Sequence, residues 1–162
     1  MARSYSVAGQ PVWGPFSAFG AGIAVLAFAL DRLNKWWTLD VYGIAERGKV
    51  EITPFFDLVM AWNKGVSYGL FQAETMAGRI GLVVFALAVV TGLGLWLAKA
   101  GNRPLSLAIG LVIGGALGNV CDRLVYGAVA DFFSFHAFGF YWYIFNVADI
   151  WIVMGVGLIL LE

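Results

Sequence analysis

Long apolar stretches constrain this chain more than any other feature. Residues 80–98 are uncharged for 19 positions, residues 105–121 for 17, and residues 141–161 hold one charged side chain, Asp149, in 21. Each run is close to the roughly 20 residues that a helix needs to cross about 30 Å of hydrocarbon. With 61% apolar and 12% charged residues in a chain of 162, a soluble globular domain is a poor fit, and one membrane-embedded domain is expected.

A further span is expected before these three. Residues 16–30 are uncharged, and the helical pattern continues through Asp31, Arg32 and Lys35 to Trp36 and Trp37, an aromatic pair suited to a membrane interface. A cleaved secretory leader would show a small-residue cleavage site after the apolar run, but charged residues follow it directly, so the segment reads as a retained span. The expected fold is therefore an all-α membrane protein, a single domain over residues 1–162. Its four transmembrane helices lie at about 16–37, 79–99, 104–123 and 141–161, with a small extracytoplasmic β-sheet between the first two. An even number of spans puts both termini on one side, and Arg3, Lys99 and Arg103 make that side cytoplasmic. The outer side then holds the segment of about residues 39–78 and a loop over 123–140. Within the outer segment, residues 50–53 and 55–62 are β-branched and aromatic, bounded by Gly48, Pro54 and Gly65, and read as strands. Gly110, Gly114 and Gly118 recur every four residues and form a packing stripe for a neighbouring helix.

Several chemistries drop out. Ten basic and ten acidic residues cancel, leaving no basic face for nucleic acid. Cys121 is the only cysteine and His136 the only histidine, so no internal disulfide, zinc site or other metal centre is expected. Gly65-Val66-Ser67-Tyr68-Gly69 matches the serine-hydrolase elbow, but that elbow needs an α/β sheet for which this chain has no room.

The polar residues that remain fall in the outer half of this topology: Asp31, Lys35, Asn63, Asn119, Asp122, Arg123, Asp131, Asn146 and Asp149. Ionisable groups beside or within spans persist where they pair, line a watery cavity or carry out chemistry. Asp31 and Lys35, at i and i+4 with the acid first, read as a structural ion pair. Asn119, Asp122 and Arg123 share one helical face and read as a clamp on the following loop. Asn146 and Asp149 have a plain structural explanation too, as helix N-cap and third helical residue. Against it, a helix starting near Tyr141 would carry Asp149 roughly 12 Å along its axis. A carboxylate at that depth needs a partner, and Asp131, flanked by Ala130, Phe132 and Phe133, is the candidate. Two acids in one poorly solvated site share a proton, leaving one acid and one base, a pair able to activate water against an amide. Two other readings compete: a proton-coupled transporter or channel subunit, which needs a relay to both faces, and a non-catalytic scaffold packed through the glycine stripe.

Five stretches, taken in order, resemble lipoprotein signal peptidase, also called signal peptidase II: residues 31–35 (DRLNK), 63–69 (NKGVSYG), 114–123 (GGALGNVCDR), 129–132 (VADF) and 145–149 (FNVAD). The resemblance runs from about Phe16 to the end. It implies an aspartyl peptidase of the bacterial inner membrane with catalytic Asp131 and Asp149, and supporting roles for Asn63, Gly65, Asn119, Arg123 and Asn146. Asp31 and Lys35 become helpers near the mouth. The implied substrate is a prolipoprotein already carrying diacylglycerol on its lipobox cysteine, cut just before that cysteine near the outer membrane face. No cofactor is implied, a monomer is expected, and globomycin-type inhibitors would wedge between the aspartates. Phe55, Phe56, Trp62 and Tyr68 would form a platform over the lipid and the scissile bond. Arg32 stands where many members carry glutamine, and Ser67 where a small apolar residue is usual.

Overall fold

The computed structural model describes residues 13–65 and 75–162. Arg3, and the part of the 65–69 motif from Val66 onward with Ser67 and Tyr68, lie outside the described residues.

Helix α1 spans Ser17–Trp36 and continues as a π-helical turn, Trp37–Val41, before the short α2, Ile44–Arg47. Strands β1, Val50–Thr53, and β2, Phe56–Asn63, follow. Then come α3, Met76–Leu97, and α4, Arg103–Val125. Strands β3, Val129–Ala137, and β4, Phe140–Tyr141, precede the last helix, α5, Val147–Leu161. Among the described residues, three helical segments, Ser17–Val41, Met76–Leu97 and Arg103–Val125, are long and apolar enough to cross a membrane, and α5 is a shorter apolar helix.

α4 is the buried centre of the bundle, and its glycines explain why. A Cβ on Gly110 would lie 2.4 Å from the Gly20 carbonyl oxygen of α1, and one on Gly114 2.6 Å from that of Ala24. On another face, a Cβ on Gly115 would meet the Ala148 carbonyl oxygen of α5 at 2.4 Å. The expected stripe is therefore real, and Gly115 adds a second contact face, so that α4 is clamped between α1 and α5 at backbone distance.

One end of the bundle is tied together by polar contacts. Ser17 Oγ donates to the Leu97 carbonyl at 2.9 Å, Asn102 caps α4 by accepting from the Leu105 N–H at 2.8 Å, and the Asn102 amide also donates to Glu162. The start of α1, the end of α3, the start of α4 and the end of α5 thus share that end.

The sheet differs from expectation in membership. β1 and β2 form as expected, but the antiparallel order is β1-β2-β3-β4, so half of the strands come from the segment after α4 that reads as a loop in sequence. Asp131 is therefore a strand residue, opposite Ala61 of β2. A two-residue turn with positive φ at Phe138 (52°) and Gly139 (80°) closes the β3–β4 hairpin.

The last helix also differs: it begins at Val147, not near Tyr141. Phe140 and Tyr141 pair with β3, and Phe145 exchanges backbone hydrogen bonds with Phe133 at 2.9 and 3.0 Å, so this aromatic run commits its amides to the sheet. A continuous apolar run does not by itself separate strand from helix. Asp149 is consequently the third helical residue, not a group two turns deep, and depth along the helix does not require a partner for it. Asn146 is the N-cap of a full capping box with Asp149.

Candidate active site

The capping box supplies one half of the site. Asn146 Oδ1 accepts from the Asp149 N–H at 3.2 Å, while Asp149 Oδ2 accepts from the Asn146 N–H at 3.1 Å. That leaves Asp149 Oδ1, which accepts from the Asn119 side-chain amide of α4 at 2.9 Å.

The other half stands on β3. Asp131 is 2% exposed. Its Oδ2 accepts from Asn63 Nδ2 at 3.1 Å, and its Oδ1 from Asn146 Nδ2 at 2.5 Å. Asn146 Nδ2 also donates to Asn119 Oδ1 at 3.2 Å. One buried asparagine thereby touches both carboxyl groups through separate atoms. Burial first, and the Asp149 charge second, push the Asp131 carboxyl up to about 7, against the downward pull of the Asn146 and Asn63 hydrogen bonds.

Cations stand around the pair. The charges of Arg123 and Lys35 act on both Asp131 and Asp149. Arg123 donates to the Asn119 carbonyl of its own helix at 3.4 Å and to the Gly65 carbonyl at 3.2 Å, while the Gly65 N–H donates to Asn63 Oδ1 at 3.0 Å. Gly65, Asn63 and Arg123 form one chain of contacts leading to the Asp131 carboxylate.

Asp31, Lys35 and Asp122 have a place too, but not near a mouth: all three are at most 1% exposed. Lys35 Nζ lies 3.1 Å from Asp31 Oδ2 and 2.6 Å from Asp122 Oδ2. Arg32, which has no role in the sequence reading, pairs with Asp31 at 3.1 Å and also with Asp122, closing a neutral group of two cations and two carboxylates. Each carboxylate then reaches one arm of the site. Asp122 Oδ2 accepts from the Ala130 N–H at 3.1 Å, and Asp31 Oδ1 from the Ala148 N–H at 3.1 Å, so each holds the residue immediately before one of the two aspartates. The i,i+4 spacing betrays the Asp31–Lys35 pair, but nothing in sequence ties α1 to α4.

A second missed group lies on the sheet. Asp57, 1% exposed, sits 3.0 Å from Lys49 Nζ and 2.9 Å from His136 Nε2. Desolvation alone would raise its pKa, but the close approach of Lys49 and His136 outweighs it and holds the carboxyl below its usual value. The residue that would have pointed to this group is the lone histidine of the sequence. Among the described residues, no three His, Cys, Asp or Glu side chains converge as metal ligands would.

Comparison with known proteins places the chain in a family. Residues 23–162 match the family model described as signal peptidase (SPase) II. A lipoprotein signal peptidase of Methylorubrum extorquens is 51% identical over 147 residues, covering 89% of this chain and 86% of that protein. One from Beijerinckia indica is 47% identical over 143 residues, covering 88% and 86%. A solved structure described as a bacterial membrane enzyme, determined by the in meso method, superposes with a TM-score of 0.76 at 27% identity over 89% of this chain and 86% of that one. A second of the same description gives 0.74 at 27% identity, over 89% and 91%. With the match covering nearly the whole chain, the chain belongs to the signal peptidase II family, whose members are lipoprotein signal peptidases.

Proposed function

We propose that this chain is an intramembrane aspartyl endopeptidase in which Asp131 and Asp149 share a proton and together activate a water molecule. The observation that carries this reading is Asn146, which donates to the Asp131 carboxylate at 2.5 Å while its own N–H and side-chain oxygen fix Asp149. Two acids held against one amide, one of them buried and titrating near neutrality, suit a division into acid and base: the ionised partner takes a proton from water, and the protonated one polarises the amide carbonyl. Asn63 and Asn119 orient the outer carboxylate oxygens. Arg123 and Lys35 offset the negative charge that grows during attack.

The substrate is a prolipoprotein whose lipobox cysteine carries diacylglycerol, cleaved at the bond just before that cysteine. The domain crosses the bacterial inner membrane four times, with both termini cytoplasmic and the aspartates near the outer face. At 1.5 Å per residue the 15 residues of α5 reach only about 22 Å, so residues 141–146 complete that crossing against the sheet. Clustering of the helix ends at Ser17, Leu97, Asn102 and Glu162 is consistent with one common side, opposite the sheet and the aspartates. Globomycin-type inhibitors fit this reading as wedges between the two acids.

The test is cleavage of a diacylglyceryl-modified precursor by Asp131→Asn and Asp149→Asn enzymes reconstituted in lipid. Each is expected to lose at least about 10³-fold in rate while remaining folded and inserted. Full activity in either variant rejects the dyad, and an Asp131-dependent proton current in sealed vesicles would favour a transporter instead.

A further inference from the structure

A groove of about 550 Å³ opens between the β3–β4 hairpin and α5. Phe135, Phe140 and Trp142 line one side, Ile150, Val153 and Met154 the other, and Asp149 is the one carboxylate in its wall. Positions 149, 150, 153 and 154 form one helical face, so a single rotation of α5 presents both the aspartate and the apolar floor. The groove is open outward: Phe140 is 65% exposed, Val153 62% and Met154 48%. Val153 and Met154 belong to a helix proposed above to lie in lipid, so the opening faces the hydrocarbon.

Two occupants would fit an apolar groove beside a protease carboxylate: an extended peptide or an alkyl chain. A peptide brings an N–H and a C=O per residue, each costly to bury without a partner, and it usually finds them on a free strand edge. Here three amides that border the groove are already committed. Trp142 N–H donates to the Phe135 carbonyl at 2.8 Å, His136 N–H to Phe55 at 2.9 Å, and Phe145 N–H to Phe133 at 3.0 Å. An alkyl chain asks for none of them.

We infer that the groove between the β3–β4 hairpin and α5 seats one alkyl chain of the lipid-modified substrate and thereby sets the register of the scissile bond on Asp149. This rests on the function proposed above and goes beyond it by separating orientation from affinity. Lipid tails are as apolar as the groove walls, so a chain moving from bilayer to groove gains little binding energy. What it gains is a fixed position, and that acts on kcat rather than on KM.

The experiment uses the Asp131→Asn protein in lipid nanodiscs with a diacylated lipobox peptide carrying dibromostearoyl chains, a heavy-atom quencher of tryptophan. Trp142 fluorescence is expected to be quenched, and the quenched component to vanish in the Asp131→Asn, Trp142→Phe double variant. Equal amounts of dibromostearoyl phosphatidylcholine should quench it less. On the wild-type background, Met154→Trp is expected to lower kcat at least about tenfold with KM nearly unchanged, and to erase the kcat difference between long-chain and short-chain diacyl substrates. Quenching of Trp142 by a peptide brominated on its signal-sequence side chains but not on its acyl chains would put the peptide in the groove and overturn the proposal. So would an unchanged chain-length contrast in Met154→Trp. Cleavage by wild-type enzyme with Trp142 unquenched overturns the groove and leaves the peptidase standing. Quenching without any cleavage by wild-type enzyme does the reverse.

Discussion

Asn146 Nδ2 lies 2.5 Å from Asp131 Oδ1, although the two residues belong to different elements, the N-cap of α5 and the first part of β3. The same asparagine closes a capping box with Asp149. A helix cap is thus also the link between the two acids, and that double use can be separated experimentally.

Serine caps a helix about as well as asparagine but carries no amide to donate to Asp131. Asn146→Ser should keep the cap but lose most activity and about 1–3 kcal/mol, because the buried Asp131 and Asn119 oxygens lose their donor, whereas Asn146→Ala should lose about 1 kcal/mol more with the cap. Thermal unfolding in detergent beside a cleavage assay reads both. Equal activity in Ser and wild-type proteins would remove the link.

The Asp131 carboxyl gives a pH dependence of definite sign. Its folded value of about 7 lies above its ordinary 3.8, so between those values the folded state binds more protons than the unfolded one. Stability from this group is then full below about pH 3.8 and falls as pH rises towards 7. Asp131→Asn should flatten unfolding free energy against pH across that window. Peptidase activity should fall as pH climbs past about 7, where the shared proton leaves the pair.

Lys35→Met tests the buried four-charge group. With Arg32 alone facing Asp31 and Asp122, the loss should be about 3–5 kcal/mol, because uncompensated buried charge remains. Since those carboxylates hold Ala130 and Ala148, residual folded enzyme should also show reduced kcat. A variant unfolding at the wild-type temperature would show that Lys35 does not compensate the two buried carboxylates.

Gly115→Ala would bring a methyl to 2.4 Å from the Ala148 carbonyl, one residue before Asp149, and force α4 and α5 apart. A cost of about 1–3 kcal/mol and a drop in kcat are expected. Gly92→Ala in α3, where nothing lies within 4 Å, should be neutral or stabilising by about 0.5–1 kcal/mol. Similar behaviour of the two substitutions would deny the close approach.

Much of this protein is legible in its sequence. The long uncharged runs announce apolar helices because lipid leaves a helix few alternatives, and periodic glycines announce a close neighbour without naming it. The two aspartates stand out by residue type and by the five family-like stretches, yet depth along a helix is the wrong reason to single out Asp149, since α5 begins six residues later than Tyr141. The strand at 129–137, the pairing of Arg32 with Asp122, and the Asp57–His136 contact are decided by tertiary structure alone. The physical reason is common to all three. Helix periodicity and apolar length are local and written in consecutive residues, whereas a strand's partner and a buried charge's counter-charge lie tens of positions away, where only the folded chain brings them within reach.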